Sequence, residues 1–154
     1  MSLREFLVRA KLQTYASSGE RDERQLEDGG KELTFRDGEY LYCDRYYGFN
    51  PFAGEEVVWQ DGQAVWAMNY YGEVTDDAIP CVDVYGFLQS ALQKVQTSRP
   101  FRGPRQFSDG DFVYRDESTG DLDRFNGHER ILYQGREIYR LEYHGGVVSH
   151  AQDL

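Results

Sequence analysis

Two stretches of this chain carry nearly the same pattern: FAGEEVVWQDGQAVWAMNYYGEV from Phe52 and FNGHERILYQGREIYRLEYHGGVV from Phe125. They align without a gap, Gly54 on Gly127, Glu56 on Glu129, Gly62 on Gly135, Tyr70 on Tyr143 and Gly72 on Gly145. After a one-residue shift the match runs upstream, where FRDGEYLYCD (35–44) meets FSDGDFVYRD (107–116). Two copies are too few for a solenoid, which needs at least about three. The expected outcome is one domain in which each copy covers what the other exposes.

Helical spacing precedes each copy. Leu3, Phe6, Leu7 and Ala10 fall at i, i+3, i+4 and i+7, as do Val84, Phe87, Leu88 and Ala91, with Leu92 and Val95 extending the second stripe. Ser2 with Glu5 has the form of a capping box, and Asp83 is a candidate N-cap. Reading one strand from 35–44 and from 107–116, and a hairpin after each, gives helix plus three strands per copy. The predicted fold is therefore α+β, two αβββ units related by a pseudo-two-fold, with antiparallel sheets. A single domain spans 1–154, the first repeat about 1–75 and the second about 82–148. The Gly-, Ser- and charge-rich stretch 17–32 reads as a flexible surface loop, and TSRPFRGPR (97–105) as a rigid connector with a small basic island.

Asp61-Gly62 is a two-residue hairpin signal, with Gln134-Gly135 in the same place. A plain hairpin register pairs Val58 with Val65, Val57 with Trp66, Ile131 with Ile138 and Glu129 with Arg140. Alternation then sends Val57, Trp59, Trp66, Met68 and Tyr70, with Leu132, Tyr139, Leu141 and Tyr143, to the core. The opposite face carries Glu56, Val58, Val65, Ala67, Asn69 and Tyr71, matched by Glu129, Ile131, Ile138, Arg140, Glu142 and His144. An aliphatic floor with a few polar groups is what small-molecule sites look like, although an antiparallel sheet also shows such a face to water.

Candidate chemistry gathers on that face. Tyr42 and Asp44 form a Tyr-x-Asp pair, and Tyr114 and Asp116 another; in each the two side chains share a face. A carboxylate among tyrosines acquires a raised pKa. Glu56, Glu129 and Glu142 form a possible carboxylate cluster, with Arg140 opposing Glu129. His144 lies beside Glu142 by alternation. The predicted ligand-lining set is Tyr42, Asp44, Glu56, Asn69, Tyr71, Tyr114, Glu129, Arg140, Glu142 and His144. No catalytic residue is assigned. No zinc spacing, nucleophile elbow, P-loop or dinucleotide fingerprint is present, so no cofactor or metal is expected.

A net charge of −10 opposes direct nucleic-acid binding, which depends on Lys and Arg neutralising phosphates. Cys43 and Cys81 sit apart as packing thiols. No apolar run approaches the roughly 20 residues of a membrane span, and no signal peptide is read at the N-terminus, so a cytoplasmic location is expected. The leading expectation is a small-molecule-binding, sensor-type domain. The alternatives are a protein-interaction or homodimerising module and, behind it, an enzyme using Asp, Glu or His as acid and base.

The elements FLVRAKLQTYA, YCDRYYG, FAGEEVVW, VWAMNYYG, FNGHE and EYHGG resemble an uncharacterised bacterial domain family. Members similar to it occur alone or behind an Xre-type helix-turn-helix domain. No helix-turn-helix segment is read here, so the resemblance implies a stand-alone member. It supplies no activity and no catalytic residues. Sensor domains that bind an effector beside a DNA-binding module show a comparable arrangement, an analogy that again points to ligand binding.

Overall fold

A computed structural model describes residues 1–14, 16 and 23–152. Its order is α1 (Leu3–Gln13), β1 (Arg24–Gln25), β2 (Lys31–Asp37), β3 (Tyr40–Gly48), β4 (Phe52–Gln60), β5 (Gln63–Val74), α2 (Cys81–Leu92), β6 (Gln106–Asp109), β7 (Phe112–Asp121), β8 (Arg124–Tyr133) and β9 (Arg136–Val147). All nine strands join one antiparallel sheet in the order β1-β2-β3-β4-β5-β9-β8-β7-β6. The expected α+β pair of αβββ units is thereby overturned. The protein is mostly β, with two helices of 11 and 12 residues.

The fourth strand on each side comes from a turn that the sequence reading passed through. Asp37-Gly38 and Asp109-Gly110 do not continue a strand. Asp37 pairs with Tyr40 and Asp109 with Phe112 across two-residue loops. Gly38 and Gly110 open those loops at φ 60 and 59, the positive φ that a type II′ turn needs at its first central position. Of the stretch 17–32, residues 17–22 lie outside the described residues. In the remainder Arg24 pairs with Glu32 and Gln25 with Lys31.

The later hairpins turn where expected. Asp61 and Gly62 have φ of 50 and 83, and Gln134 and Gly135 have 49 and 82, so both central positions are left-handed, as a type I′ turn requires. Beyond the turns the expected register fails. A bulge between Val58 and Trp59 leaves Val58 opposite Trp66 and Glu56 opposite Met68; another between Ile131 and Leu132 leaves Ile131 opposite Tyr139 and Glu129 opposite Leu141. One extra residue in β5 and in β9 moves the partner strand to the other face for all that follows.

Both helices contribute to one hydrophobic core on one face of the sheet. Phe6, Leu7 and Ala10 of α1, and Val84, Phe87, Leu88, Ala91 and Leu92 of α2, are buried against Tyr42, Val58, Trp66, Met68, Ile131, Tyr139 and Leu141. The Phe6 ring stacks on Tyr40 at 4.9 Å and Phe87 on Phe112 at 4.9 Å. The capping box of α1 forms: Glu5 N–H donates to Ser2 Oγ at 3.2 Å and Ser2 N–H to Glu5 Oε2 at 3.3 Å. Pro80, not Asp83, occupies the N-cap of α2; Asp83 lies in its first turn, next to the helix's positive end. The far face of the sheet is exposed at Asn69, Tyr71, Arg140, Glu142 and His144. Among the described residues no helix is long and apolar enough to cross a membrane.

The turns support a direct check. Gly62→Ala and Gly135→Ala place a Cβ at left-handed φ and are expected to cost about 1–2 kcal/mol each. Asn at the same positions is expected to cost less, because its short polar side chain tolerates that conformation. Urea unfolding of the four variants measures the difference.

Candidate functional site

The bulges have a chemical consequence. By turning β4 and β8 over, they place Glu56 and Glu129 inside, on the face already occupied by Asp44 and Asp116. Asp44 then stands directly across the strands from Glu56, and Asp116 from Glu129. All four are buried, with relative exposures of 2%, 0%, 1% and 0%. Like charges directly opposite one another destabilise a sheet, and burial increases that cost. Each pair needs a counter-charge or a proton.

The counter-charges arrive from outside the sheet. Lys11, one of the buried residues of α1, places Nζ 2.8 Å from Glu56 Oε1 and also donates to the carbonyl of Phe101. Its ammonium lies 5.5 Å from the centre of the Trp66 ring. Arg102, on the segment expected as a rigid basic connector, grips Glu129 with two hydrogen bonds, Nη2 to Oε1 at 2.7 Å and Nε to Oε2 at 3.1 Å. Arg99 of the same segment brings Nη2 to 3.5 Å from Asp116 Oδ2. The basic island of 97–105 thus turns inward, and both arginines are buried.

Tyrosines complete the arrangement. Tyr70 donates to Asp44 Oδ1 at 2.6 Å and Tyr143 to Asp116 Oδ1 at 2.8 Å. Tyr114 donates to Glu129 Oε2 at 2.5 Å and Tyr139 to Oε1 at 2.7 Å. A Cβ at Gly54 would lie 2.3 Å from the Tyr70 hydroxyl oxygen, and one at Gly127 2.4 Å from that of Tyr143. Only glycine lets these rings lie across the neighbouring strand to reach their aspartates. In the first half Trp66 stands where Tyr139 stands in the second, and its indole N–H goes to the Leu122 carbonyl at 3.2 Å.

These surroundings set the proton positions. Burial, then the facing Glu56, pushes Asp44 up to about 7 against the Tyr70 hydrogen bond, Arg102 and Lys11. Burial, then Glu129, pushes Asp116 up to about 7 as well. Burial raises Tyr70, Tyr114 and Tyr139 well above the usual tyrosine value, so they remain donors. Burial lowers Lys11, opposed chiefly by the charge of Glu56.

A cavity of about 320 Å3 opens onto one of the two aspartates. Asp44, Tyr70 and Arg102 are among its polar groups, with Thr14, Glu23 and Gln89, while Phe52, Tyr85 and Leu88 contribute to its apolar walls. On the far face, a wider groove of about 720 Å3 runs past Asn69, Tyr71, His128, Glu142 and His144, most of them exposed.

The expected lining set therefore divides between the two faces. Asp44, Glu56, Tyr114 and Glu129 lie in the buried network, and Tyr42 is buried in the hydrophobic core. Asn69, Tyr71, Glu142 and His144 come together in the outer groove, and Arg140, on the same face, extends toward Glu73 at 3.8 Å. The expected Glu129–Arg140 partnership does not form, because the bulge puts Arg140 opposite Arg130. Glu142 is likewise separated by the sheet from Glu56 and Glu129. Lys11, Arg99, Arg102, Tyr70, Tyr139 and Tyr143 are the network members that sequence reasoning missed as functional. The inward charges were visible only as a lysine on the apolar stripe of α1 and two arginines on either side of Pro100. Among the described residues no group of three or more His, Cys, Asp or Glu is arranged to hold a metal ion.

Two outcomes follow from this network. Lys11→Met leaves Glu56 buried without its cation and is expected to cost about 3–5 kcal/mol, whereas adding Glu56→Gln removes the stranded charge and recovers much of the loss. A double-mutant cycle by chemical denaturation measures the coupling. The second outcome concerns pH. A carboxyl raised in the folded state keeps its proton where the unfolded chain has lost it. That share of stability is complete below the ordinary aspartate value and fades as pH rises through about 7. Asp44→Asn, which cannot ionise, is therefore expected to gain thermal stability relative to the parent between about pH 5 and about pH 8. Melting curves across that range test the sign.

A family model described as a domain of unknown function (DUF5680) matches residues 44–148. The match begins at Asp44 and includes both aspartates, both glutamates, Arg99 and Arg102, while Lys11 lies outside it. The comparisons with curated proteins and with solved structures give no match.

Proposed function

The chain belongs to the DUF5680 family of domains of unknown function, and we propose that it binds a small organic molecule in the cavity between α2 and the first half of the sheet. The observation that carries this reading is the cavity itself. A mostly apolar lining carries a few polar groups, and a volume of about 320 Å3 falls at the lower end of small-molecule sites. Asp44 and Tyr70 are held by the hydrogen bond between them, so the polar end is organised before anything enters. The aromatic walls are stiff: Tyr85 meets Phe49 and Phe52 edge-on at 5.1 and 5.8 Å, and its hydroxyl donates to the Phe49 carbonyl at 2.6 Å. A sensor-type role fits this layout, because a ligand here would touch both a helix and the sheet.

The exposed groove supports a second reading. Tyr71, 56% exposed, stands there in a row with Asn69 and His144 and offers a contact surface to a partner or a second copy. Light scattering across a concentration series distinguishes this reading, since a monomer at every concentration would remove self-association.

Gly86 of α2 makes the cavity testable. It lines the cavity, and a Cβ there would meet nothing within 4 Å. Gly86→Ala is expected to raise stability by roughly 0.5–1 kcal/mol through helix propensity. Gly86→Phe is expected to fill the space while the fold persists. In a metabolite screen read by thermal shift, compounds that raise the melting temperature of the parent should fail to raise that of Gly86→Phe. Hits that act equally on both proteins would exclude this cavity as the site.

A further inference from the structure

The two buried acid pairs are built alike but neutralised differently. Asp116 and Glu129 have two guanidinium partners, Arg99 and Arg102. Asp44 and Glu56 have one ion-pair partner among the described residues, the Lys11 ammonium on Glu56. Where Arg99 approaches Asp116, the corresponding aspartate faces the cavity. Asp44 Oδ1 accepts from Tyr70, and among the described residues no hydrogen bond or ion pair reaches Oδ2. Glu56 Oε2, buried beside it, also lacks a hydrogen-bond partner among the described residues.

Resting on the small-molecule reading above, we infer that the cavity accepts an organic cation, an ammonium or guanidinium group on an apolar or aromatic body, with the charged end on Asp44. In the second half the corresponding place is taken by the guanidinium of Arg99, which stands 3.5 Å from Asp116 Oδ2 as an ion pair and gives its hydrogen bond to Ser118 Oγ at 2.9 Å. The cavity lining agrees in sign. Both other charged groups of the lining are already paired, Glu23 with Lys31 at 3.5 Å and Arg102 through its two-point grip on Glu129, which leaves Asp44 as the acid facing the space. Apolar walls at Phe52 and Leu88 suit the rest of the molecule, and the rings of Phe49 and Tyr85 can stack on an aromatic body. The volume of about 320 Å3 suits a small amine.

Entry of the cation exchanges one positive charge for another. Asp44 in its acid form releases its proton to solvent and pairs as the carboxylate. The groups that face it throughout are Glu56 of β4, Tyr70 of β5, Lys11 of α1 and Arg102 after α2. Glu23 lines the same cavity. With the Asp44 carboxyl at about 7, cation affinity is expected to rise roughly tenfold from about pH 6 to about pH 8.

The experiment is an NMR titration of the full chain with phenethylamine, benzylguanidine, the neutral 2-phenylethanol and the acidic 3-phenylpropionate. The two cations are expected to shift resonances around the cavity, to bind more tightly at the higher pH and to lower the titration midpoint of the Asp44 carboxyl carbon. Asp44→Asn is expected to weaken them at least tenfold, and Gly86→Phe to abolish binding without unfolding the protein. Binding of 2-phenylethanol as tight as that of the amines, or amine binding unchanged in Asp44→Asn, overturns the cationic assignment and leaves a neutral-ligand cavity. Screen hits that occupy the cavity while neither cation binds overturn it as well. Absence of any cavity ligand in both the titration and the screen overturns the small-molecule reading itself.

Discussion

Two carboxylates placed opposite one another on adjacent strands, under a helix, cannot both be ionised without a cation close by. This condition holds twice here, at Asp44 with Glu56 and at Asp116 with Glu129, and it governs much of the architecture around the sheet. Lys11 fixes the position of α1, since sliding the helix by one turn would strand both the ammonium and Glu56. Arg99 and Arg102 fix the segment after α2 in the same way. Apolar packing alone would hold the helices on the sheet with less positional demand, because hydrophobic attraction has no direction. The buried charges add desolvation cost and return specificity of placement.

The tyrosines show how closely backbone and charge are linked. Tyr70 and Tyr143 lie opposite each other in the central β5–β9 pairing. From there each ring crosses the neighbouring strand at a glycine, Gly54 or Gly127, and ends on an aspartate of the strand beyond. Three strands in each half are thus tied together by one side chain. The glycines shared by the two copies are therefore more than turn residues; two of them mark the paths of these rings.

Much of the local structure was legible in the sequence. The helical stripes at Phe6, Leu7 and Ala10 and at Phe87, Leu88 and Ala91 are buried, and the Asp61-Gly62 and Gln134-Gly135 turns form. Asp37-Gly38 and Asp109-Gly110 carried the same kind of signal. Passing over them lost a strand in each half and gave too helical a fold. The bulges were not legible, because an inserted residue in β5 or β9 looks like ordinary strand until its partner is known. That one-residue error moved Glu56, Val58, Glu129 and Ile131 to the wrong face. The long-range cations were hidden for a different reason. A lysine within an apolar helical stripe and arginines in a Pro-rich segment more often face water, and only the sheet's buried acids draw them inward.

The difference between the halves is then best placed inside the sheet's covered face. On the outer face, Ala67 against Arg140, Asn69 against Glu142 and Tyr71 against His144 differ in side chains that water already solvates. On the inner face, exchanging Tyr139 for Trp66 removes a hydroxyl that would have served Glu56, and among the described residues the first half has no counterpart of the Arg99–Asp116 contact. A buried acid left short of donors and cations is costly unless something else supplies them. The second half supplies two guanidinium groups from its own chain, although Asp116 Oδ2 still lacks a hydrogen-bond partner among the described residues. The first has one ion-pair cation, Lys11, among the described residues, and its aspartate lines a cavity, so the two halves differ most where Asp44 meets open space.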